Sequence, residues 1–215
     1  MIKQVRKINP TRRSISGYYP FRGSESIPYE SSLERDFIIL QEFNSSVVRV
    51  VSQPVEIPFR LGIRRYKYTP DFLVLLSSSS CKGMLVEVKP EIKWRKHWRK
   101  WLSKWKAAYR WAKEHDFIFH IYDENRIRGQ VLQNIKMLSS FKHGNLVPNH
   151  ADVAVIRQFF SQNPRRIADY LYLLPNHEKS NQYRLILTML ANNILSVDFN
   201  KPITPDSFIW VTENG

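Results

Sequence analysis

The chain has 215 residues, of which 43% are hydrophobic and 13% aromatic. That is enough for a packed core and excludes a wholly disordered protein. One cysteine, Cys81, excludes an internal disulfide and a cysteine-based zinc cluster and fits a reducing cytosol. The net charge of +14 points to an anionic partner, above all nucleic acid. The basic start, MIKQVRKINPTRR, is followed by no apolar stretch. Neither a signal peptide nor a membrane span is therefore expected, and the expectation is a cytoplasmic protein with no membrane partner. Residues 1–146 hold 27 Lys/Arg against 13 Asp/Glu, while residues 147–215 hold six of each. The whole basic excess thus lies in the first two thirds, which predicts two parts with different tasks.

In chain order, residues 1–28 are basic and interrupted by Pro10, Gly17, Pro20, Gly23 and Pro28, and read as an extended arm. A helix is expected over 31–43, where Leu33, Phe37 and Leu40 recur at helical spacing. SVVRVV (46–51) reads as a strand and QPVEIPFRL as a second extended piece, with its prolines at edge or irregular positions. FLVLL and MLVEV are apolar and β-prone, and the SSSSCKG between them is turn material, so the pair reads as a hairpin ended by Pro90. A long helix over 93–113, a strand over 117–123 and a helix over about 126–140 follow. A hairpin followed by a helical crossover to a further strand implies an α/β fold with a mixed sheet flanked by helices. GNLVPN (144–149) reads as a linker. Beyond it come helical runs at about 151–162, 165–174 and 180–194 and two short extended segments around a turn, a pattern that suggests a small winged-helix-like domain. The expected organisation is a basic arm (1–28), a nuclease domain (29–146) and a winged-helix-like, partner-docking domain (147–215).

The chemistry concentrates in the hairpin. With its turn centred near Ser80, residue 71 faces 89 and 73 faces 87. Asp71, Glu87 and Lys89 then share one face, because side chains alternate along strands. A shift of one residue would move Asp71 to the other face. Two carboxylates supply hard oxygen ligands suited to Mg2+, with Mn2+ as a substitute. Such an ion lowers the pKa of a bound water, and a neighbouring ammonium can neutralise charge that builds on phosphorus. Val86 and Val88 point the other way, into packing. Two charges on the inner part of a sheet are costly unless they serve a purpose.

Pro70-Asp71, fifteen intervening residues and Glu87-Val88-Lys89 together resemble the PD-(D/E)xK nuclease signature. The segments SISGYYPFR (14–22), YESSLERDFIILQEF (29–43), QPVEI (53–57), YTPDFLV (68–74) and LVEVKP (85–90) narrow the resemblance to TnsA, the endonuclease subunit of heteromeric transposases of the Tn-seven type. It covers roughly residues 10–140. The resemblance implies a restriction-endonuclease-like fold with Glu34, Asp71 and Glu87 as metal ligands. Glu34, Asp71, Glu87 and Lys89 would be the catalytic set. It also implies cleavage of the 5′ (non-transferred) strands at transposon ends, beside a TnsB-like DDE transposase and a TnsC-like AAA+ regulator. A Holliday junction resolvase, a restriction enzyme and a non-catalytic DNA-binding adaptor remain the rivals.

Glu34 has a competing role, since Ser31-x-x-Glu34 is also a capping box. Glu30, one turn earlier, is a second candidate ligand. In the 93–113 helix, Trp94, Trp98, Trp101 and Trp105 form one stripe, read as core rather than a base-stacking surface. Lys93, Arg95, Lys96, Arg99, Lys100 and Lys104 on the other faces read as phosphate-binding residues for double-stranded DNA. Arg12, Arg13, Arg64, Arg65 and Lys67 are weaker candidates for the same role. The six histidines show no paired ligand spacing, and Cys81 sits in a turn without a base beside it.

Overall fold

A computed structural model describes residues 4–5, 15–77, 81–142 and 149–212. The first strands are β1 (Gly17–Phe21) and β2 (Glu25–Tyr29), paired antiparallel. The expectation of an extended arm fails here. Arg22 and Gly23, with φ of 49° and 69°, close a tight turn with Ser24 N–H donating to the Phe21 carbonyl at 3.2 Å. Pro20 and Pro28 are tolerated because a two-stranded ribbon leaves unpaired backbone edges. Phe21 and Ile27 are buried. Residues 1–3 and 6–14 of the expected arm, Arg12 and Arg13 among them, lie outside the described residues.

Helix α1 (Ser32–Phe43) begins at the Ser31 cap, whose hydroxyl accepts from Glu34 N–H. Strand β3 (Val47–Ser52) follows. The next segment is not part of the main sheet: β4 (Ile57–Leu61) and β5 (Arg64–Tyr68) form a ribbon of their own. Strands β6 (Phe72–Leu76), β7 (Gly83–Val88) and β8 (Phe117–Tyr122) complete a four-stranded sheet in the order β3-β6-β7-β8. The first two pairings are antiparallel, and β7 runs parallel to β8. The parallel pair requires a crossover, supplied by α2 (Glu91–Glu114). The mixed sheet with helical cover is therefore the one expected.

Alternation along the strands gives each sheet face its own core. Leu73 and Leu85 pack with Trp105, Ala107, Ala108 and Ala112 of α2. Phe72 stacks on Phe37 of α1 with ring centroids 5.2 Å apart. The tryptophan stripe is largely core as expected: Trp105 is buried and Trp94 and Trp101 pack against the same cluster. Trp98 departs from it, at 43% exposure under the Arg99 guanidinium.

The helix expected over 126–140 is two helices, α3 (Glu124–Ile127), capped by Asp123, and α4 (Gln130–Lys142). The chain divides into two compact units, Met1–Arg128 and Gly129–Gly215. The division falls ahead of α4, not at the expected 146/147. The reason is a long-range one: Asn134 of α4, buried, donates to the carbonyls of Phe199 and Lys201 at 2.9 and 2.7 Å. The second unit continues with α5 (His150–Phe160), β9 (Arg165–Arg166), α6 (Ile167–Tyr172), α7 (Asn176–Ala191), β10 (Leu195–Val197) and β11 (Phe208–Val211). Its three strands form a sheet ordered β10-β11-β9. By this division the first unit holds 25 Lys/Arg against 13 Asp/Glu, and the second 8 against 6. The basic excess stays with the first unit.

Candidate functional site

The register of β6 and β7 decides which side chains meet. Phe72 faces Val86 and Leu73 faces Leu85. The pairing is two residues away from the one expected, so Asp71 comes level with Glu87 rather than with Lys89. A two-residue displacement preserves the face. Asp71, Glu87 and Lys89 therefore still converge: Lys89 Nζ lies 3.4 Å from Asp71 Oδ2 and 3.5 Å from Glu87 Oε1. Asp71 Oδ2 also accepts the Val88 backbone N–H at 2.7 Å, which fixes the carboxylate at the strand end. Gln53 anchors Asp71 from behind, its N–H donating to the Asp71 carbonyl at 2.8 Å from a left-handed backbone, φ 46°.

Glu34 performs the capping function and faces the site as well. Its Oε2 accepts the Glu30 backbone N–H at 2.7 Å and its Oε1 accepts from the Ser31 hydroxyl at 2.9 Å. Its charge is felt by both Lys89 and Asp71. Burial raises the Glu34 pKa, against the lowering effect of the Glu30 N–H, Ser31 and Lys89. The Asp71 carboxyl is pushed well above the usual carboxylate range, first by burial, then by the Glu87 charge. For Lys89, burial works downward, but the carboxylates of Asp71, Glu87 and Glu34 outweigh it and drive the ammonium pKa up. The neighbouring carboxylates thus favour the charged form of Lys89.

Two residues complete the site that sequence reasoning did not place there. Tyr68, at the base of the β4–β5 ribbon, donates its hydroxyl to Glu87 Oε2 at 2.6 Å. Lys104 of α2 reaches Glu87 Oε1 at 3.0 Å, with its ammonium 4.5 Å from the Tyr68 ring centroid and 5.0 Å from that of Trp101. Glu87, 1% exposed, is thereby held through both oxygens. Lys104 was expected on the DNA-facing side; its side chain is 18% exposed and turned inward. A partial signal existed, since at about 100° per residue Lys104 lies on the helix flank next to Trp101, beside the apolar stripe rather than opposite it. Lys93, Lys96, Arg99 and Lys100 are exposed, as is Arg95, which pairs with Glu91.

Three carboxylates against two ammonium groups leave a buried surplus of negative charge. Among the described residues, no three such groups converge on one metal position. The donor set nonetheless fits a hard divalent cation: it is all-oxygen and crowded, and burial followed by the Glu87 charge raises the Asp71 pKa. Asp71 and Glu87 have the chemistry to hold it, while both Glu34 oxygens are engaged in the helix cap.

Residues 44–124 match the family model for the TnsA-like endonuclease N terminal. The matched segment is similar to a TnsA-type domain. The match takes in Asp71, Glu87, Lys89, Tyr68 and Lys104, while Glu34 lies ahead of it. No curated protein matches the chain. A TnsA-like endonuclease domain supports a nuclease of the transposition type. Among the described residues, no helix is long and apolar enough to cross a membrane.

Proposed function

We propose that the chain is a metal-dependent DNA endonuclease that cuts the 5′, non-transferred strands at transposon ends. It would act with a TnsB-like DDE transposase that handles the 3′ ends, under a TnsC-like AAA+ regulator. The observation that carries the nuclease reading is the convergence of Asp71, Glu87 and Lys89, with Lys89 Nζ within 3.5 Å of both carboxylates. The strand and partner assignments rest on the similarity to a TnsA-type domain.

Asp71 and Glu87 would hold Mg2+ or Mn2+. That ion, when bound, supplies an activated water at neutral pH and charge stabilisation at the leaving oxygen. The protein's own contribution is electrostatic. Lys89, in its charged form, presents a positive charge where the attacked phosphate gathers negative charge. Tyr68 and Lys104 hold Glu87 in one orientation. Val88 N–H does the same for Asp71. The exposed Lys93, Arg95, Lys96, Arg99 and Lys100 would grip phosphates of the duplex without reading its sequence. The second unit has the element order helix, strand, helix, helix, strand, strand after α4. That order supports a winged-helix-like reading, and near-neutral charge favours protein docking over DNA binding. The test is excision reconstituted with the partner subunits. Asp71→Ala should abolish 5′ cleavage while leaving 3′ cleavage in place. Unchanged 5′ cleavage would leave the adaptor reading standing instead.

A further inference from the structure

The β4–β5 ribbon has no place in the main sheet and no part in the proposed chemistry beyond Tyr68 at its base. Its outer half is unusual for a soluble surface. Ile63 at the tip is 99% exposed and Leu61 is 51% exposed. Arg60, Arg64, Arg65 and Lys67 surround them, all exposed. Lys67 pairs with Glu56. Arg60, Arg64 and Arg65 have no ion-pair partner among the described residues. Arg60 also stands directly opposite Arg65 across the ribbon. Like charges in that position are destabilising unless an anion lies between them.

The ribbon is built to hold its shape. Gly62, with φ +60°, takes the first central position of a two-residue turn, the place glycine occupies in a type II′ hairpin. Phe59 and Tyr66 face each other across the strands and stack, with centroids 5.6 Å apart. Ile57, Phe59 and Tyr68 pack on the α2 core. Tyr68 is bonded to Glu87, so the arm projects from the site itself.

We propose that this ribbon is a DNA-groove probe: Arg60, Arg64 and Arg65 bind phosphates of the duplex flanking the scissile bond, and Ile63 enters the groove between them. The proposal rests on the nuclease reading for the identity of the duplex as ligand. A two-stranded ribbon fits the major groove, and an exposed aliphatic side chain can contact thymine methyls there. Charge complementarity favours DNA over a protein partner, because three unpaired arginines on one short hairpin match a polyanion. From Tyr68 to Ile63 the ribbon spans about 17 Å at ~3.4 Å per residue, which places its tip about five base pairs from the scissile phosphate.

The test uses the full chain and a fluorescein-labelled duplex without divalent metal, so that binding is read in the absence of cleavage. Arg60→Ala/Arg64→Ala/Arg65→Ala should weaken binding and reduce the slope of log K against log salt by about 2–3, at ~0.9 for each lost phosphate contact. Ile63→Cys in a Cys81→Ser background, carrying a photo-crosslinker, should label DNA about five base pairs from the cut. Thermal unfolding of each variant at the wild-type midpoint secures the fold. An unchanged salt slope with no crosslink to DNA would overturn the proposal. Wild-type DNA binding combined with failed assembly with the transposase partner would also overturn it, in favour of a protein-docking ribbon. The nuclease reading fails separately, through intact 5′ cleavage by Asp71→Ala, and that result would leave the binding measurements untouched.

Discussion

Tyr68→Phe removes one hydroxyl and nothing else. The ring stays in the cluster it shares with Leu85 and Trp105. What is lost is the 2.6 Å bond to Glu87 Oε2, a carboxylate with almost no access to water. Burial, then the charges of Glu87 and Asp71, push the Tyr68 pKa far up, so the hydroxyl is a donor throughout the working pH range. A hydrogen bond to a charged group contributes about 1.5–3 kcal/mol. Glu87 retains Lys104 at 3.0 Å and Lys89 at 3.5 Å, which places the expected loss at the lower end, near 1.5–2 kcal/mol. For a unit of 128 residues this lowers the melting temperature by about 6–7 °C. Thermal unfolding followed by circular dichroism reads it directly. Tyr66→Phe is the control, since Tyr66 is 41% exposed and should shift stability by no more than about 0.5 kcal/mol. If Tyr68→Phe melts with the wild type, the hydroxyl does not restrain Glu87 and the description of a doubly held carboxylate is wrong.

Other expectations follow from the same geometry. Mg2+ at a hundredfold excess over its dissociation constant should stabilise the wild-type chain by about 2.7 kcal/mol. Asp71→Asn should remove that gain, and an equal gain in the variant would place the ion elsewhere. Lys96→Ala/Arg99→Ala/Lys100→Ala should reduce the salt slope of duplex binding by about 3 without changing thermal stability, as measured by fluorescence anisotropy. Gly83→Ala should cost about 3 kcal/mol or more in denaturant unfolding, because its φ is +147° and a Cβ there would meet the Val74 carbonyl oxygen at 1.8 Å. A midpoint unchanged from wild type would show that β7 can relax around a side chain at that position.

What could be read in the sequence followed local rules. The long helix, the apolar hairpin and the crossover to β8 all carry periodicity or turn chemistry on their surface. The first hairpin did not, because its prolines read as breakers, yet Pro20 and Pro28 cost a two-stranded ribbon little. Placing Lys104 required knowing how α2 rolls against the sheet: three residues after Trp101, it leans over the face that holds Glu87. Tyr68 precedes Asp71 by three residues and gives no local sign of bonding to a residue nineteen positions later. The division ahead of α4 depends on Asn134 and carbonyls more than sixty residues away, which no periodicity encodes.

The register error is instructive for the opposite reason, since the site survived it. Two cores constrain β6 and β7 to the same parity: Leu73 and Leu85 must meet α2, and Phe72, Val86 and Val88 must meet the other side. A one-residue slip would send residues of one strand to the opposite core and place Asp71 away from Glu87. A two-residue slip reverses nothing, so the hydrophobic pattern cannot discriminate against it. Gly83 can. In the observed pairing it lies opposite Leu75, where the Val74 carbonyl leaves no space for a Cβ. In the pairing expected from the turn it would fall beyond the end of β6, and its lack of a side chain would serve no purpose. Parity therefore brings the two acids and the lysine to one face, and one glycine selects Glu87 rather than Lys89 to stand level with Asp71.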